Sequence, residues 1–253
     1  MTAMNDKQVA LVTGANKGIG LQIAKELAAR GLSVLVGSRD LARGEAAAKT
    51  IAGDARALAL DVTDARSIAA AAERILRELG RLDVLVNNAA IAHAGKPGTS
   101  FEDLLKSGHP STASIAEVRA VFETNVIGVI AVTQAMLPLL REAPVGRIVN
   151  VSSEVGSLTM QSDRSNPHRA IRSVTYVPSK TALNAVTVAF AKELETTRIK
   201  VNAACPGFTA TDLNAFRGTR SVQEGAREPV RLALLGADGP TGTFSNEAGA
   251  LPW

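Results

Sequence analysis

Residues 9–20 read VALVTGANKGIG and join a short run of branched apolar residues to a turn with glycines at positions 14, 18 and 20. The segment Ile19–Arg30 that follows has the periodicity of a helix. Glycines in this G-x-x-x-G-x-G spacing allow a tight turn and a close approach of backbone amides to a pyrophosphate, while the helix N-terminus adds positive potential. The strand before the turn and the helix after it favour a dinucleotide site over an ordinary glycine turn.

The alternation of short apolar runs with longer helical patterns continues along the chain, as in βαβ units. Because the runs lack a polar face, they suit a parallel sheet that helices cover on both sides. The sequence therefore predicts an α/β fold, with one doubly wound, Rossmann-type domain over residues 1–253 and a mostly parallel sheet of about seven strands. The predicted strands are Val9–Thr13, Ser33–Gly37, Ala57–Asp61, Val84–Val86, Arg147–Val151 and Lys200–Ala204. The predicted helices are Ile19–Arg30, Leu41–Ile51, Ala65–Leu79, Val118–Leu139 and Tyr176–Thr196.

Two segments lose this periodicity, residues 153–175 and 207–240, where Gly, Pro, Ser, Asn and charged residues are frequent. Open α/β sheets bind ligands at the carboxyl ends of their strands. We therefore expect substrate-side loops at about 153–175 and 207–230.

Composition excludes several classes of protein. Hydrophobic residues make up 46% and charged residues 21% of the chain, which excludes disorder, collagen and coiled coil. The 28 Lys and Arg exceed the 24 Asp and Glu by only four, no basic block occurs, and aromatic residues make up 3%. Nucleic acid is therefore not an expected partner, whereas a small anionic ligand is compatible with this charge.

The longest apolar run, Val126–Val132, is shorter than the about 20 residues that a membrane-spanning helix needs, so we expect no membrane partner. The segment Met1–Gln8 is polar and has no apolar core of a signal peptide, which predicts a cytoplasmic location. Cys205 is the only cysteine, and we expect it to be a buried structural thiol. The three histidines lack metal-ligand spacing, so we expect no metal site. The histidines are His93, His109 and His168.

The end of the second predicted strand indicates which nicotinamide cofactor is bound. NAD-preferring sites have an acidic residue there, which binds the ribose 2′-hydroxyl group. This chain has Ser38 and Arg39 instead, and an arginine binds a 2′-phosphate through paired, charge-assisted hydrogen bonds. Lys17 adds a second cation, so we predict NADPH/NADP+ over NADH. Asp40 could be taken as the ribose acid, but its position suits the N-cap of the helix from Leu41, and a solvated loop residue is the alternative for Arg39.

The sequence resembles the short-chain dehydrogenase/reductase family along essentially its whole length. Within that family it looks most like the NADPH-dependent carbonyl reductases, through residues 37–40 and 229–235 and the closing Leu-Pro-Trp. Ala90 replaces the usual glycine of one family motif. The resemblance is carried by Thr13–Gly20, Asp61-Val62, Asn87-Asn88-Ala89-Ala90, Asn125, Ser153, Tyr176-Val177-Pro178-Ser179-Lys180 and Cys205-Pro206-Gly207.

The resemblance implies a catalytic set of Asn125, Ser153, Tyr176 and Lys180. Tyr176 is the implied proton donor, and Ser153 is expected to hydrogen-bond the substrate oxygen. Lys180 would also hold the nicotinamide ribose, while Asn125 would support a water that links Lys180 to solvent. The expected cofactor-binding residues are Gly14, Asn16, Lys17, Gly18, Ile19, Gly20, Ser38, Arg39, Asp61, Val62, Asn88, Ala89, Ala90, Tyr176, Lys180, Pro206, Gly207, Thr209 and Thr211.

The spacing of Tyr176 and Lys180 supports this assignment, since residues four apart share one face of a helix. Tyrosine has an ordinary pKa of about 10, and a nearby ammonium group and an oxidised nicotinamide both favour its anion, so we expect Lys180 to help lower the pKa of Tyr176. Pro178 is tolerated only in a first turn, which predicts a helix start near Thr175 or Tyr176. For the pair alone, a packed tyrosine beside a solvated lysine is the alternative.

Ser153 and Tyr176 are farther apart than is common in the family, so residues 157–172 look like an insertion. This segment is expected to border the substrate entrance or to hinder packing between subunits, and a monomer and a homodimer both stay open. The leading hypothesis is an NADPH-dependent reductase of small apolar ketones, aldehydes or quinones. The alternatives are a dinucleotide-sensing protein without turnover and an alcohol dehydrogenase that works mainly in the oxidative direction.

Overall fold

The computed structural model describes residues 7–94, 102, 106 and 108–253, and a single sheet contains the strands of these residues. The strand order is β3-β2-β1-β4-β5-β6-β7-β8, and every neighbouring pair is parallel except β7 with β8. The strands are β1 Val9–Val12, β2 Ser33–Ser38, β3 Ala55–Ala59, β4 Val84–Asn87, β5 Arg147–Val151, β6 Lys200–Ala204, β7 Phe244–Asn246 and β8 Gly249–Ala250. The helices are α1 Gly18–Ala29, α2 Leu41–Ala48, α3 Ala65–Leu79, α4 Ile115–Phe122, α5 Gly128–Arg141, α6 Leu158–Ser162, α7 Tyr176–Glu193 and α8 Val222–Ala233.

Helices cover both faces of the sheet, as the unbroken apolar strands predict. On one face, Leu27 of α1 and Val230 of α8 pack against the strands. On the other face, Ile75 of α3, Met136 of α5 and Phe190 of α7 do so. The predicted α/β, mostly parallel architecture is confirmed, and the described residues form eight strands where about seven are predicted. The eighth strand has only two residues and pairs antiparallel with β7, which is too short for a sequence pattern to reveal.

The chain order of the strands reverses between β1 and β4. β1 pairs with β2 on one side and with β4 on the other, so the connections to these neighbours run in opposite directions across the sheet. In doubly wound sheets a crevice opens at such a point, outside the carboxyl ends of the strands. The glycine turn follows β1 and therefore lies at this crevice.

The predicted helix Val118–Leu139 is interrupted in the structure. A π-helical turn, Glu123–Ile127, separates α4 from α5. Such turns leave no mark in apolar periodicity and are frequent at functional sites. The combined helix Ile115–Arg141 is long and apolar enough to cross a membrane by length and composition, although its longest unbroken apolar run is short. Half of its most apolar window is buried inside the protein, as expected of a core helix.

The expectation of an irregular segment over residues 207–240 is wrong in part, because α8 occupies Val222–Ala233. Ser221 and Glu224 form a capping box that starts the helix, and Pro229 lies inside it. A proline at such a position costs about 3 kcal/mol, which burial against the sheet offsets. Gly225 is required by close packing, since a Cβ there would lie 2.5 Å from Thr209 Oγ1. Gly225 and Pro229 thus disfavour a helix in the sequence, but tertiary packing accommodates both of them within α8.

The segment 153–175 is also more ordered than its composition suggests. It contains the short helix α6, whose N-cap Ser157 accepts a hydrogen bond from the Met160 amide. A 3-10 turn, Pro167–Ala170, follows, with Asn166 as its cap. The helix α7 begins at Tyr176, so Pro178 lies in its first turn as predicted.

Candidate active site

A cavity of about 480 Å³ opens at the carboxyl ends of the strands and contains the glycine turn at one end and Tyr176 and Lys180 at the other. Every predicted cofactor-binding residue lines it except Gly207 and Thr209. The predicted residues that line the cavity are Gly14, Asn16, Lys17, Gly18, Ile19, Gly20, Ser38, Arg39, Asp61, Val62, Asn88, Ala89, Ala90, Tyr176, Lys180, Pro206 and Thr211.

The glycine turn packs directly against the segment that follows β4. Thr13 Oγ1 accepts hydrogen bonds from the Asn88 and Ala89 amides, both at 2.9 Å, and Asn88 Nδ2 donates to the Thr13 carbonyl at 2.9 Å. Gly14 has a left-handed backbone (φ 62°), and a Cβ there would lie 2.9 Å from Ala89 Cα. Thr13 thus holds the two loops together, and a larger residue at position 14 would force them apart.

The start of α1 fits a dinucleotide pyrophosphate. Lys17 is the N-cap residue and its side chain does not cap the helix, so the first amides of α1 keep their capacity to bind an anion. Gly18 and Gly20 line the cavity at this point, and a Cβ at Gly20 would lie 2.4 Å from Asn88 Nδ2. Glycine at position 20 therefore allows the turn to pack closely against Asn88.

Arg39 lies at the end of the cavity that the sequence assigns to the 2′-phosphate. Its side chain is exposed, lines the cavity and has no ion-pair partner within 4 Å among the described residues. Asp40 is instead the N-cap of α2, where it accepts a hydrogen bond from the Arg43 amide and pairs with the Arg43 side chain at 3.2 Å. The sequence interpretation of Asp40 as a cap is confirmed, and Arg39 keeps its charge for a ligand.

Asp61 and Lys17 are charged residues that line the same cavity as Arg39, and their surroundings differ. The Thr63 backbone amide, followed by the Thr63 hydroxyl and the Arg39 charge, holds the pKa of Asp61 below its usual value against the effect of burial. Lys17 lines the same cavity as Arg39 and pairs with Asp212 at 3.3 Å. Both partners of that pair are more than half exposed, so it contributes little to stability.

Tyr176 and Lys180 share a face of α7 at the floor of the cavity. Lys180 Nζ lies 5.6 Å from the centre of the Tyr176 ring and donates a hydrogen bond to the Val151 carbonyl at 2.8 Å. Burial lowers the pKa of Lys180 to about 8. The two groups therefore lie together beside the nucleotide cleft, as the i, i+4 spacing predicts.

Burial, and not the charge of Lys180, has the largest effect on the pKa of Tyr176. Burial raises the pKa of Tyr176 well above its ordinary value, the neighbouring Cys205 adds to this, and a hydrogen bond with Ser153 opposes it. The Lys180 ammonium group is directed at a carbonyl and is itself desolvated, so its influence on the phenol is weak. The phenol is therefore protonated at neutral pH.

Ser153 and Asn125 support the floor of the cavity without lining it. Ser153 follows β5 and occupies the N-cap position of the 3-10 turn Glu154–Gly156, where its side chain makes no capping hydrogen bond. Asn125 is fully buried in the π-helical turn, and its side chain bonds to the Ile91 amide and carbonyl at 2.9 and 2.8 Å. It also donates to Ser179 Oγ at 3.0 Å. Both amide hydrogens of Asn125 are thereby used, so its side chain could bind a water only by accepting a hydrogen bond at Oδ1.

Several residues of the cavity were missed by the sequence interpretation. Some adjoin a motif residue, such as Asp212 after Thr211, so their position in the chain could have indicated them. Others follow β4 or come from the π-helical turn, where only the fold brings them to the cavity. None of the insertion 157–172 is among the described lining residues, so the structure does not place it at the entrance. The additional lining residues include Arg43, Thr63, Ile91, Ala92, His93, Thr124, Ser152, Asp212 and Leu213.

Cys205 is buried, as expected from the sequence. Cys205 is 2% exposed, and burial raises the pKa of its thiol to about 11, so it is neutral and unreactive. His168 Nε2 lies 3.0 Å from Glu154 Oε1. Within residues 7–94, 102, 106 and 108–253, no group of His, Cys, Asp or Glu has the arrangement of a metal site.

Comparison with known proteins assigns the family. The family model described as short chain dehydrogenase matches residues 8–221. The chain belongs to the short-chain dehydrogenase family. The matched residues extend from the strand before the glycine turn to beyond Tyr176 and Lys180, so both ends of the cavity lie within the part of the chain that defines a short-chain dehydrogenase.

Two curated members of the family illustrate the similarity. The chain is 35% identical to (+)-neomenthol dehydrogenase of Arabidopsis thaliana, over 93% of this chain and 94% of that protein. It is 32% identical to carbonyl reductase [NADPH] 1 of Rattus norvegicus, over 98% and 99%. Among solved structures, an NADPH-bound carbonyl reductase from chicken fatty liver superposes with a TM-score of 0.80 at 27% identity, covering 98% of this chain and 99% of that one.

Proposed function

We propose that this short-chain dehydrogenase is an NADPH-dependent reductase of small apolar ketones, aldehydes or quinones, with Tyr176 as the proton donor. One observation carries the proposal. One cavity joins the glycine turn and Arg39, which has no ion-pair partner among the residues that the structure describes, to Tyr176 and Lys180. The relatives support it, because two of the proteins similar to this chain bear the name of a carbonyl reductase and NADPH in their description.

The residues present fit NADPH along the length of the cavity. The free amides at the start of α1 suit the pyrophosphate, and Arg39 suits the 2′-phosphate. Lys180 would hold the nicotinamide ribose at the other end. When bound, the nicotinamide supplies a hydride, which is the redox part of the reaction.

The protein's own contribution is to bind the carbonyl oxygen and to protonate it. The Tyr176 hydroxyl donates a hydrogen bond to this oxygen, and the Ser153 hydroxyl is the second donor, so negative charge that develops on oxygen meets two donors. Tyr176 then gives up its proton as the C–O bond becomes that of an alcohol. Lys180, with a pKa of about 8, carries a proton that can reach the phenolate again.

The protonation state of Tyr176 favours reduction over oxidation. Oxidation of an alcohol requires the tyrosinate as base, whereas reduction requires the neutral phenol. Because burial raises the pKa of Tyr176, the neutral phenol is the form present at neutral pH. Apolar side chains of the cavity, among them Ile91 and Leu213, support an apolar carbonyl compound. A cytoplasmic location and a monomer or homodimer stay predictions from the sequence.

A panel of carbonyl compounds tests this function directly. The purified protein is mixed with NADPH or NADH and with ketones, aldehydes, diketones and quinones, and cofactor absorbance is followed. We expect NADPH oxidation with at least one compound, and slower oxidation of NADH. Tight NADPH binding without turnover of any compound or of the matching alcohols would instead support a dinucleotide sensor.

A glycine substitution tests the cofactor end of the cavity. Gly14→Ala should weaken NADPH binding about tenfold or more, because the new Cβ displaces Ala89 and disturbs contacts to the pyrophosphate. Gly80→Ala is the matched control, since Gly80 also has a left-handed backbone (φ 74°) but has nothing within 4 Å of its Cβ position. Both variants should lose thermal stability through backbone strain. Equal NADPH dissociation constants in the two variants, measured by fluorescence titration, would refute the predicted role of Gly14.

A further inference from the structure

The Ser153 carbonyl accepts a hydrogen bond from the Gly156 amide at 2.9 Å and its side chain bonds to Tyr176, while neighbouring residues hold the segment that carries it. It lies in the short segment Val151–Gly156, between the end of β5 and the 3-10 turn. On one side, β6 holds this segment through bonds from the Ser152 amide to the Ala204 carbonyl at 2.8 Å and from the Glu154 amide to Cys205 Sγ at 3.2 Å. The other side of the segment faces α7, which carries Tyr176 and Lys180.

Asn184 of α7 bonds to this segment from the helix side. The Ser152 hydroxyl donates to Asn184 Oδ1 at 2.5 Å, and both side chains are almost fully buried. Asn184 Nδ2 also reaches the Gly156 carbonyl, at a longer 3.5 Å. One amide side chain thus bonds to the residue before Ser153 and to the last residue of the 3-10 turn that follows it.

The spacing along α7 makes this contact relevant to the reaction. Tyr176, Lys180 and Asn184 are separated by four residues each, so they lie on one face of the helix. Lys180 Nζ bonds to Val151 and Asn184 to Ser152, so consecutive residues of the segment are tied to consecutive turns of the helix. The helix backbone and the segment are in direct contact, because a Cβ at Gly156 would lie 2.7 Å from the Lys180 carbonyl carbon.

We infer that Asn184 and Ser152 are positioning residues for carbonyl reduction, which fix Ser153 relative to Tyr176 so that both hydroxyls meet the same substrate oxygen. This inference rests on the proposed function. Neither side chain transfers a proton or contacts the reacting atoms in it. A displacement of about 1 Å between such donors is enough to slow a reaction by about 100-fold.

The experiment compares Ser152→Ala, Asn184→Leu and the double variant with the unaltered protein. Ser152→Ala removes a single oxygen atom and is the variant least disturbing to folding. We expect kcat to fall about tenfold to 100-fold in each single variant, with the dissociation constant of NADPH unchanged. Because both substitutions remove the same hydrogen bond, the double variant should be no slower than the slower single variant within about threefold.

Thr187→Val is the matched control. Thr187 is also buried on α7, accepts a hydrogen bond from Asn150 Nδ2 at 2.8 Å and donates one to the Leu183 carbonyl at 2.8 Å, and both partners lie outside the segment Val151–Gly156. The Thr187→Val variant should lose stability as the Ser152→Ala and Asn184→Leu variants do, because each loses a buried hydrogen bond, while its kcat stays within about twofold of the unaltered protein. The split between kcat and the NADPH dissociation constant gives a second readout: kcat alone should fall in Ser152→Ala, and neither quantity should change in Thr187→Val.

Two results would overturn the inference. One is a kcat for Ser152→Ala within about twofold of the unaltered protein, and the other is an equal loss of kcat in Thr187→Val, which would mean that lost stability alone explains it. Tyr176→Phe, measured in parallel, separates this inference from the proposed function. Full activity of Tyr176→Phe would contradict the proposed function, whereas an inactive Tyr176→Phe beside a fully active Ser152→Ala would contradict only the positioning role.

Discussion

Tyr176→Phe should reduce kcat for carbonyl reduction by about 100-fold or more while leaving the dissociation constant of NADPH nearly unchanged. The substitution removes only the hydroxyl, so the ring keeps its place at the floor of the cavity and beside the Lys180 ammonium group. The substrate oxygen then loses its proton donor and one of its two hydrogen bonds. Steady-state kinetics with the best carbonyl compound and fluorescence titration with NADPH measure the two quantities separately.

The remaining donor, Ser153, provides the comparison for this prediction. Ser153→Ala keeps the proton donor and removes one hydrogen bond, so it should be slower than the unaltered protein but faster than Tyr176→Phe. Circular dichroism and melting temperature verify that both variants are folded. A Tyr176→Phe variant that keeps a tenth or more of the normal kcat would show that the proton comes from another group, such as water or Lys180.

Arg39→Asp should reverse the cofactor preference. An arginine–phosphate interaction contributes about 1.5–3 kcal/mol, and a carboxylate at this position would also repel the 2′-phosphate. We therefore expect kcat/KM for NADPH to fall about 100-fold or more, whereas kcat/KM for NADH changes by about threefold or less. Arg39 has no ion-pair partner among the residues described, so its replacement should leave the melting temperature almost unchanged.

Arg198→Asp controls for the change in overall charge. Arg198 is exposed and precedes β6, at the amino end of the strands and outside the residues that line the cavity. The Arg198→Asp substitution changes the net charge by the same amount as Arg39→Asp. Because charges this far apart are screened at ordinary ionic strength, cofactor preference should stay that of the unaltered protein. Equal losses for NADPH and NADH in Arg39→Asp would contradict the assignment of the 2′-phosphate to Arg39.

Local patterns were sufficient for the parts of this protein in which neighbours in sequence are neighbours in space. The glycine turn joins β1 to α1 directly, so its spacing alone indicated the pyrophosphate end of the cavity. Tyr176 and Lys180 are one helical turn apart, and their side chains share a face wherever the helix forms. The cap at Asp40 is local in the same sense, since its partner is the amide of Arg43.

Contacts between distant segments could not be predicted in this way. The π-helical turn at Asn125 shows no mark in the apolar pattern, and its bonds reach Ile91 and Ser179, which lie far away in the chain. Helix α8 contains Gly225 and Pro229, which argue against a helix until the packing of Gly225 against Thr209 is known. The pairing of Lys17 with Asp212 likewise depends on how two loops meet.

The pKa of Tyr176 shows most clearly how a local sequence pattern and the folded structure can differ. From the sequence, the i, i+4 lysine predicts a lowered pKa for the tyrosine, because charge and spacing can be read along the chain. In the folded protein the pKa is raised, because burial outweighs the influence of an ammonium group that bonds to the Val151 carbonyl instead. Residue types and their local spacing specified the chemical groups and the helix face they share. How much water reaches those groups, and which distant atoms bond to them, depended on the packing of the whole sheet and its helices, which local spacing does not encode.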